Sequence, residues 1–142
     1  MKKIIYLLPV LVALVSGCFN NKNSIPVPVP SGTFTGEFRR ISKAADQSID
    51  TLKANIKVVI EPGIGYHVLG DTATVHAGSK GHYGINNGNG ILFVDSTYSA
   101  KSTSTKTHLN GEYLYIYNGS VFQMVRNSGD TLSLQYDLKK TN

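Results

Sequence analysis

The chain has no tryptophan and one cysteine among its 142 residues. A single cysteine excludes an intrachain disulfide and a zinc site built from several thiolates. Long apolar runs are missing too. The longest, residues 4–15, falls well short of the roughly 20 needed for a membrane-spanning helix. No segment repeats apolar residues with the 3.6 period of a helix. Charged side chains make up only 16% of the chain, and the formal net charge of +5 is scattered. After Lys2-Lys3 the adjacent basic pairs are Arg39-Arg40 and Lys139-Lys140, and neither is interleaved with aromatics. A nucleic-acid footprint needs clustered charge, so that class of partner is set aside.

What is present begins with Lys2-Lys3, the apolar run Ile4 to Val15, and Val15-Ser16-Gly17-Cys18. A charged start, an apolar middle and small residues at the end make a secretory signal peptide over 1–17. The placement of Cys18 resembles the bacterial lipobox, where cleavage precedes the cysteine and the cysteine is acylated. The resemblance implies a diacylglycerol, usually with a third acyl chain, on Cys18. Two or three chains anchor durably where one binds only marginally. With Cys18 lipidated no thiol remains for catalysis. Residues 18–31 then form a tether. Alternating prolines in Ile25-Pro26-Val27-Pro28-Val29-Pro30 fix φ and remove donors, which makes an extended spacer.

From residue 32 the hydrophobic period is two, the signature of half-buried strands. Phe34 and Phe38 share a face within 33–41. Leu52, Ala54, Ile56, Val58 and Ile60 alternate with polar neighbours. Tyr66 and Val68, then Tyr83 and Ile85, do the same. Residues 90–94 are a short apolar run. Tyr113, Tyr115 and Tyr117 alternate with Leu114 and Ile116. Residues 121–126 form another candidate, and Leu132, Leu134, Tyr136 and Leu138 close the series. Asn86-Asn87-Gly88-Asn89-Gly90 and Asn118-Gly119 supply turn residues that tolerate positive φ. Longer connections fall at 42–50, 72–80 and 96–107. The first has room for a helical turn at 44–47. An all-β domain over 32–140 follows: an antiparallel meander of about eight strands closed as an up-and-down barrel. The long connections keep a β-sandwich as the alternative.

Together, the lipobox, the Pro/Asn spacer and the small β domain look like lipoproteins of Bacteroidota. Gly65-Tyr66-x-Val68, Gly81-x-Tyr83-x-Ile85, Gly90-Ile91-x-Phe93 and Gly129-Asp130-Thr131-Leu132-x-Leu134 resemble the lipocalin-like domains found there. Gly36-Glu37-Phe38 stands where lipocalins carry Gly-x-Trp. Phe19, rather than Asp, follows the cysteine, which implies outer-membrane placement. The absence of acidic residues in 19–23 points to the periplasmic face rather than the cell surface. Asp50-Thr51, Asp71-Thr72 and Asp130-Thr131 are similar to the O-glycosylation signal of Bacteroidota, which would put glycans on Thr51, Thr72 and Thr131. A turn Asp followed by a β-branched strand starter explains the same pattern.

Chemistry is sparse. His67, His76, His82 and His108 show no metal-ligand spacing, so no metal and no cofactor is expected. No Gly-x-Ser-x-Gly elbow occurs, and Glu37, Glu61 and Glu112 sit on polar strand faces, so no enzyme is expected. The tyrosines are the binding candidates. Tyr113, Tyr115 and Tyr117 share one face of one strand, and Tyr66 and Tyr83 join them if that face is the barrel interior. They either line a site for a small apolar or sugar-like ligand or form a sheet wall with hydroxyls reaching solvent at the rim. The expected function is a membrane-anchored extracytoplasmic lipoprotein, a binding or envelope-accessory module for such a ligand. The alternative is a structural or partner-binding lipoprotein with a filled barrel.

Overall fold

In a computed structural model the described residues are 28–86, 88–99 and 104–142. The signal peptide, Cys18 and tether residues 18–27 lie outside them. Eight strands follow in order: β1 (Gly32–Lys43), β2 (Ile49–Glu61), β3 (Gly65–Gly70), β4 (Lys80–Ile85), β5 (Gly90–Asp95), β6 (Gly111–Tyr117), β7 (Val121–Ser128) and β8 (Leu132–Lys140). Each pairs antiparallel with the next, and β8 returns to β1. The chain is a closed eight-stranded up-and-down β-barrel. The sandwich alternative is not what forms.

Alternation explains the wall. On β2, Ala54, Ile56, Val58 and Ile60 are buried, while Lys53, Asn55 and Lys57 face water. On β6 all three tyrosines are buried and Leu114 and Ile116 point outward. Closure of the sheet leaves side chains from every strand converging on one interior.

The strands are uneven in length, and this shapes the molecule. β7, β8, β1 and β2 are 8 to 13 residues long, while β3 to β6 have 6 or 7. Below the short strands, residues 71–79 and, from the next long connection, 96–99 and 104–110 take the place of wall. They meet at a parallel bridge between His76 and Thr107 and insert His76, Ala77 and Leu109 into the barrel end. The first long connection differs from expectation. β1 reaches Lys43 and β2 starts at Ile49, so residues 44–48 form a tight turn with Ala44 and Ser48 hydrogen bonded and Gln47 at φ 69°, leaving no helical turn.

The seam between β3 and β4 is the thinnest. Two residue pairs join the strands, Tyr66 with Gly81 and His67 with Lys80, and Val68 N–H continues the pairing to the Ser79 carbonyl at 2.8 Å. Both strands use glycine there for close approach. A Cβ on Gly65, whose φ is +144°, would stand 2.2 Å from the Gly81 carbonyl oxygen.

Candidate functional site

The five candidate tyrosines do come together. Tyr66, Tyr113, Tyr115 and Tyr117 are buried and Tyr83 is half-buried, all facing the interior. They meet rings rather than open space. Phe93 contacts Tyr66 at 4.8 Å, Tyr113 at 6.0 Å and Tyr83 at 6.4 Å between centroids. Phe122 packs on Tyr115 and Tyr117, both at 6.0 Å, and on Phe34 at 5.1 Å. Most of these pairs are edge-to-face, the arrangement favoured by ring quadrupoles. The rings form two groups within one buried core, Phe34, Tyr115, Tyr117 and Phe122 in one, and Tyr66, Tyr83, Phe93, Tyr113, Tyr136 and Phe38 in the other.

The hydroxyls behave differently from one another. Tyr66 Oη–H donates to the Leu109 carbonyl, and Tyr117 Oη–H to the Gly119 carbonyl at 2.9 Å. Those of Tyr113 and Tyr115 are buried with no well-directed hydrogen bond. The rim-exposed picture therefore fails for these two. Burial pushes the phenols of Tyr66, Tyr83, Tyr113, Tyr115 and Tyr136 above their ordinary value, so all stay protonated at neutral pH.

A polar cluster that residue spacing does not reveal lies under the two long connections. His76 is fully buried. Its Nδ1 is 2.6 Å from the Ala77 carbonyl, which can only accept, so Nδ1 carries the hydrogen. Nε2 then accepts the Tyr136 hydroxyl at 2.9 Å. Burial pushes the imidazole pKa down to about 4, with His108 adding to the depression and the Ala77 carbonyl and Asp95 opposing it. His76 is thus neutral at physiological pH.

Asp95, at the end of β5, is the second centre. Its Oδ1 accepts from the Thr97 amide (2.8 Å), the Thr97 hydroxyl (2.6 Å) and the Lys80 amide (3.3 Å). Its Oδ2 accepts from His108 Nδ1 at 2.7 Å. Burial alone would raise its pKa; hydrogen bonds from Thr97, His108 and Ser79 overcome that and hold it below the usual carboxylate value. The Ser79 hydroxyl oxygen also accepts the Leu109 amide at 3.0 Å. These bonds tie both connections to β5. Arg126 closes the same end, donating to the Asn110 carbonyl (2.6 Å) beneath the Tyr113 ring.

The other candidates lie apart. His67 and His82 are on the outer wall at the β3–β4 seam, beside a cleft of about 500 Å³ that also includes Glu61 and Lys80. Glu37 faces outward with Lys53 and Arg39. Among the described residues, no group of three or more His, Cys, Asp and Glu side chains could hold a metal ion. Thr51 and Thr131 are exposed and Thr72 is half-buried, all three toward the loop-covered end.

Outside the barrel, charge and hydrophobicity separate. The wall of β1, β2 and β8 carries Glu37, Arg39, Lys53, Lys57 and Asp137, with Arg39 paired to Asp137. The wall of β5 to β7 carries Leu92, Val94, Leu114 and Ile116, the last two 63% and 68% exposed. Register places Leu114 opposite Val125 and diagonal to Leu92, so these side chains adjoin.

These features define a class: a small closed β-barrel with an aromatic-filled interior, one end plugged by crossing loops, and an outer wall apolar on one side. No family model, curated protein or solved structure matches the chain.

Proposed function

We propose that the chain is a membrane-anchored extracytoplasmic lipoprotein of the Bacteroidota type, held by acylated Cys18 at the periplasmic face of the outer membrane. Its barrel acts as a partner-binding module through the outer wall. The address rests on Lys2-Lys3, the apolar run and Val15-Ser16-Gly17-Cys18. The choice of a partner-binding role over a carrier role rests on the ring cluster that occupies the interior. The surface that fits a partner is Leu92, Val94, Leu114, Val125 and Ile116. Contiguous apolar surface of this kind is uncommon on proteins that act alone. Glu112 stands within it opposite Leu92, and Arg39, which shares a cleft with Ile116 and Val125, is paired to Asp137, so the chemistry suits an apolar protein face rather than anionic lipid.

A photo-activatable side chain at Leu114, in the full chain in native membranes, tests this. It should give one adduct of defined mass, absent when the same probe replaces Lys57 on the charged wall. Equal labelling at both positions, or none at Leu114, overturns the reading. Cys18→Ser tests the address separately: the protein should leave the membrane fraction.

A second reading, a small apolar or sugar-like ligand within the barrel, is favoured by one observation. The Tyr115 hydroxyl is buried without a partner, which a ligand could supply. It requires the ring cluster to part, and saturable binding of a fluorescent fatty acid or a sugar, lost in Tyr115→Phe, is its test.

A further inference from the structure

The seam that joins β3 to β4 also hollows the wall outside it. Gly65 and Gly81 meet there and neither contributes a side chain, so their neighbours stand as a rim around a cleft of about 500 Å³. Register fixes that rim. Lys80 lies directly opposite His67. His82 follows Lys80 by two residues and is exposed on the same outer face. Opposed side chains leave the sheet about 5 Å apart, and alternate ones along a strand about 7 Å apart. One ammonium and two imidazoles therefore form a triangle of about these sides. Across Gly65, on the β2 side, stands Glu61. Ile64, exposed, borders the same cleft.

The charge of Lys80 is not used within the chain. All nine Asp and Glu side chains belong to the described residues, and none forms an ion pair with it. Asp95 accepts the Lys80 backbone N–H at 3.3 Å through one oxygen and gives the other to His108. The Lys80 carbonyl accepts the Ser96 amide at 2.9 Å and the Ser96 hydroxyl at 2.8 Å. These bonds clamp the Lys80 backbone and leave its ammonium at the cleft.

We propose that this cleft binds a small organic oxyanion, a carboxylate or phosphate monoester that also carries a hydroxyl group. The Lys80 ammonium and one N–H from each imidazole donate to the anionic group. A neutral imidazole has one donor and can place it on either nitrogen, so both histidines adapt to one acceptor. Hydrogen bonds to an ionised group are the stronger kind. The rest of the molecule lies over Gly65, where Glu61 accepts from its hydroxyl and Ile64 gives an apolar contact. A metal ion fits less well. The ammonium beside both imidazoles repels it, and no group of three ligating side chains exists among the described residues. The inference goes beyond the partner-binding reading and depends neither on it nor on the lipid anchor.

NMR titration of the full chain in uncharged detergent tests it, with glycerol 3-phosphate, glycerol, inorganic phosphate and zinc as probes. Glycerol 3-phosphate should shift His67, Lys80 and His82 saturably, and glycerol should not. Lys80→Gln should weaken binding about tenfold or more, with the amides of the other strands unmoved to report an intact barrel. His82→Gln should weaken it less, and Lys139→Gln, exposed on β8, should leave it unchanged. Glu61→Gln should tighten inorganic phosphate, by removing a like charge. Adding phosphatidylglycerol to the micelles separates two sources of the oxyanion. Shifts at the same three residues that glycerol 3-phosphate no longer adds to assign a lipid headgroup, and unchanged titration assigns a soluble ligand. The absence of a saturable shift with either phosphate probe overturns the proposal. So does an equal loss in Lys139→Gln and Lys80→Gln, which marks non-specific attraction, or saturation by zinc but by no anion.

Discussion

Tyr136 on β8 donates its hydroxyl hydrogen to Nε2 of His76, 2.9 Å away, and joins a loop residue to the barrel wall 60 positions later in the chain. Phe38 stacks edge-on against the same imidazole at 4.8 Å and packs on the Tyr136 ring at 4.8 Å. The three side chains make the floor of the barrel. Removing the imidazole orphans a buried hydroxyl and opens a cavity. His76→Ala should therefore cost about 2–4 kcal/mol, read as a lower urea midpoint at unchanged slope.

The same histidine predicts a pH dependence. Folding lowers its pKa from an ordinary 6.5 to about 4. The unfolded chain binds a proton that the folded chain refuses, so stability is full above about pH 6.5 and falls as pH drops from there through 4. The loss amounts to about 3 kcal/mol. Urea titrations at pH 7 and pH 4 should show it, and His76→Phe should flatten the slope in that window. Asp95 acts below it. Its depressed pKa means that its contribution fades only as pH falls below the ordinary 3.8.

The orphaned Tyr115 hydroxyl predicts a gain. Tyr115 Oη is buried without a partner, so Tyr115→Phe removes a desolvated polar atom and nothing it bonds to. The variant should match or exceed the native stability. Tyr136→Phe, which breaks a made bond, should lose about 1–2 kcal/mol. A cost for Tyr115→Phe as large as that for Tyr136→Phe would mean that its hydroxyl has a bonded partner in solution.

The β3–β4 seam should tolerate no side chain at its glycine. Gly65→Ala places a Cβ against the Gly81 carbonyl at a φ that disfavours it. A loss of about 1–3 kcal/mol is expected. Amide exchange should show it concentrated at Tyr66, His67 and Val68.

On the charged wall, by contrast, Lys53→Ala removes a largely exposed pair with Glu37 at 3.3 Å. The effect should stay below about 1 kcal/mol and vanish at high salt. A larger loss would mark this wall, rather than β5 to β7, as the buried face of an assembly.

The alternation of apolar and polar residues determined that residues 32–140 form strands, and roughly where each starts. A period of two assigns residues to two faces without reference to any partner strand. Turn residues such as Asn118-Gly119 marked the hairpins, and short turns force antiparallel neighbours, so the meander was legible too. Which face is interior was not always. In β6 both faces are apolar, Tyr113, Tyr115 and Tyr117 on one and Leu114 and Ile116 on the other. Only closure against Phe93, Phe122 and Tyr136 put the rings inside and the aliphatics out. The run at 90–94 hid the same split, with Ile91 and Phe93 buried and Leu92 and Val94 exposed. Whether the lumen is open or filled depends on how rings from strands far apart in sequence interlock. The meeting of His76 with Tyr136, and of Asp95 with His108, depends on two connections crossing under strands too short to reach the end. Those are relations between distant residues, and local pattern carries no term for them.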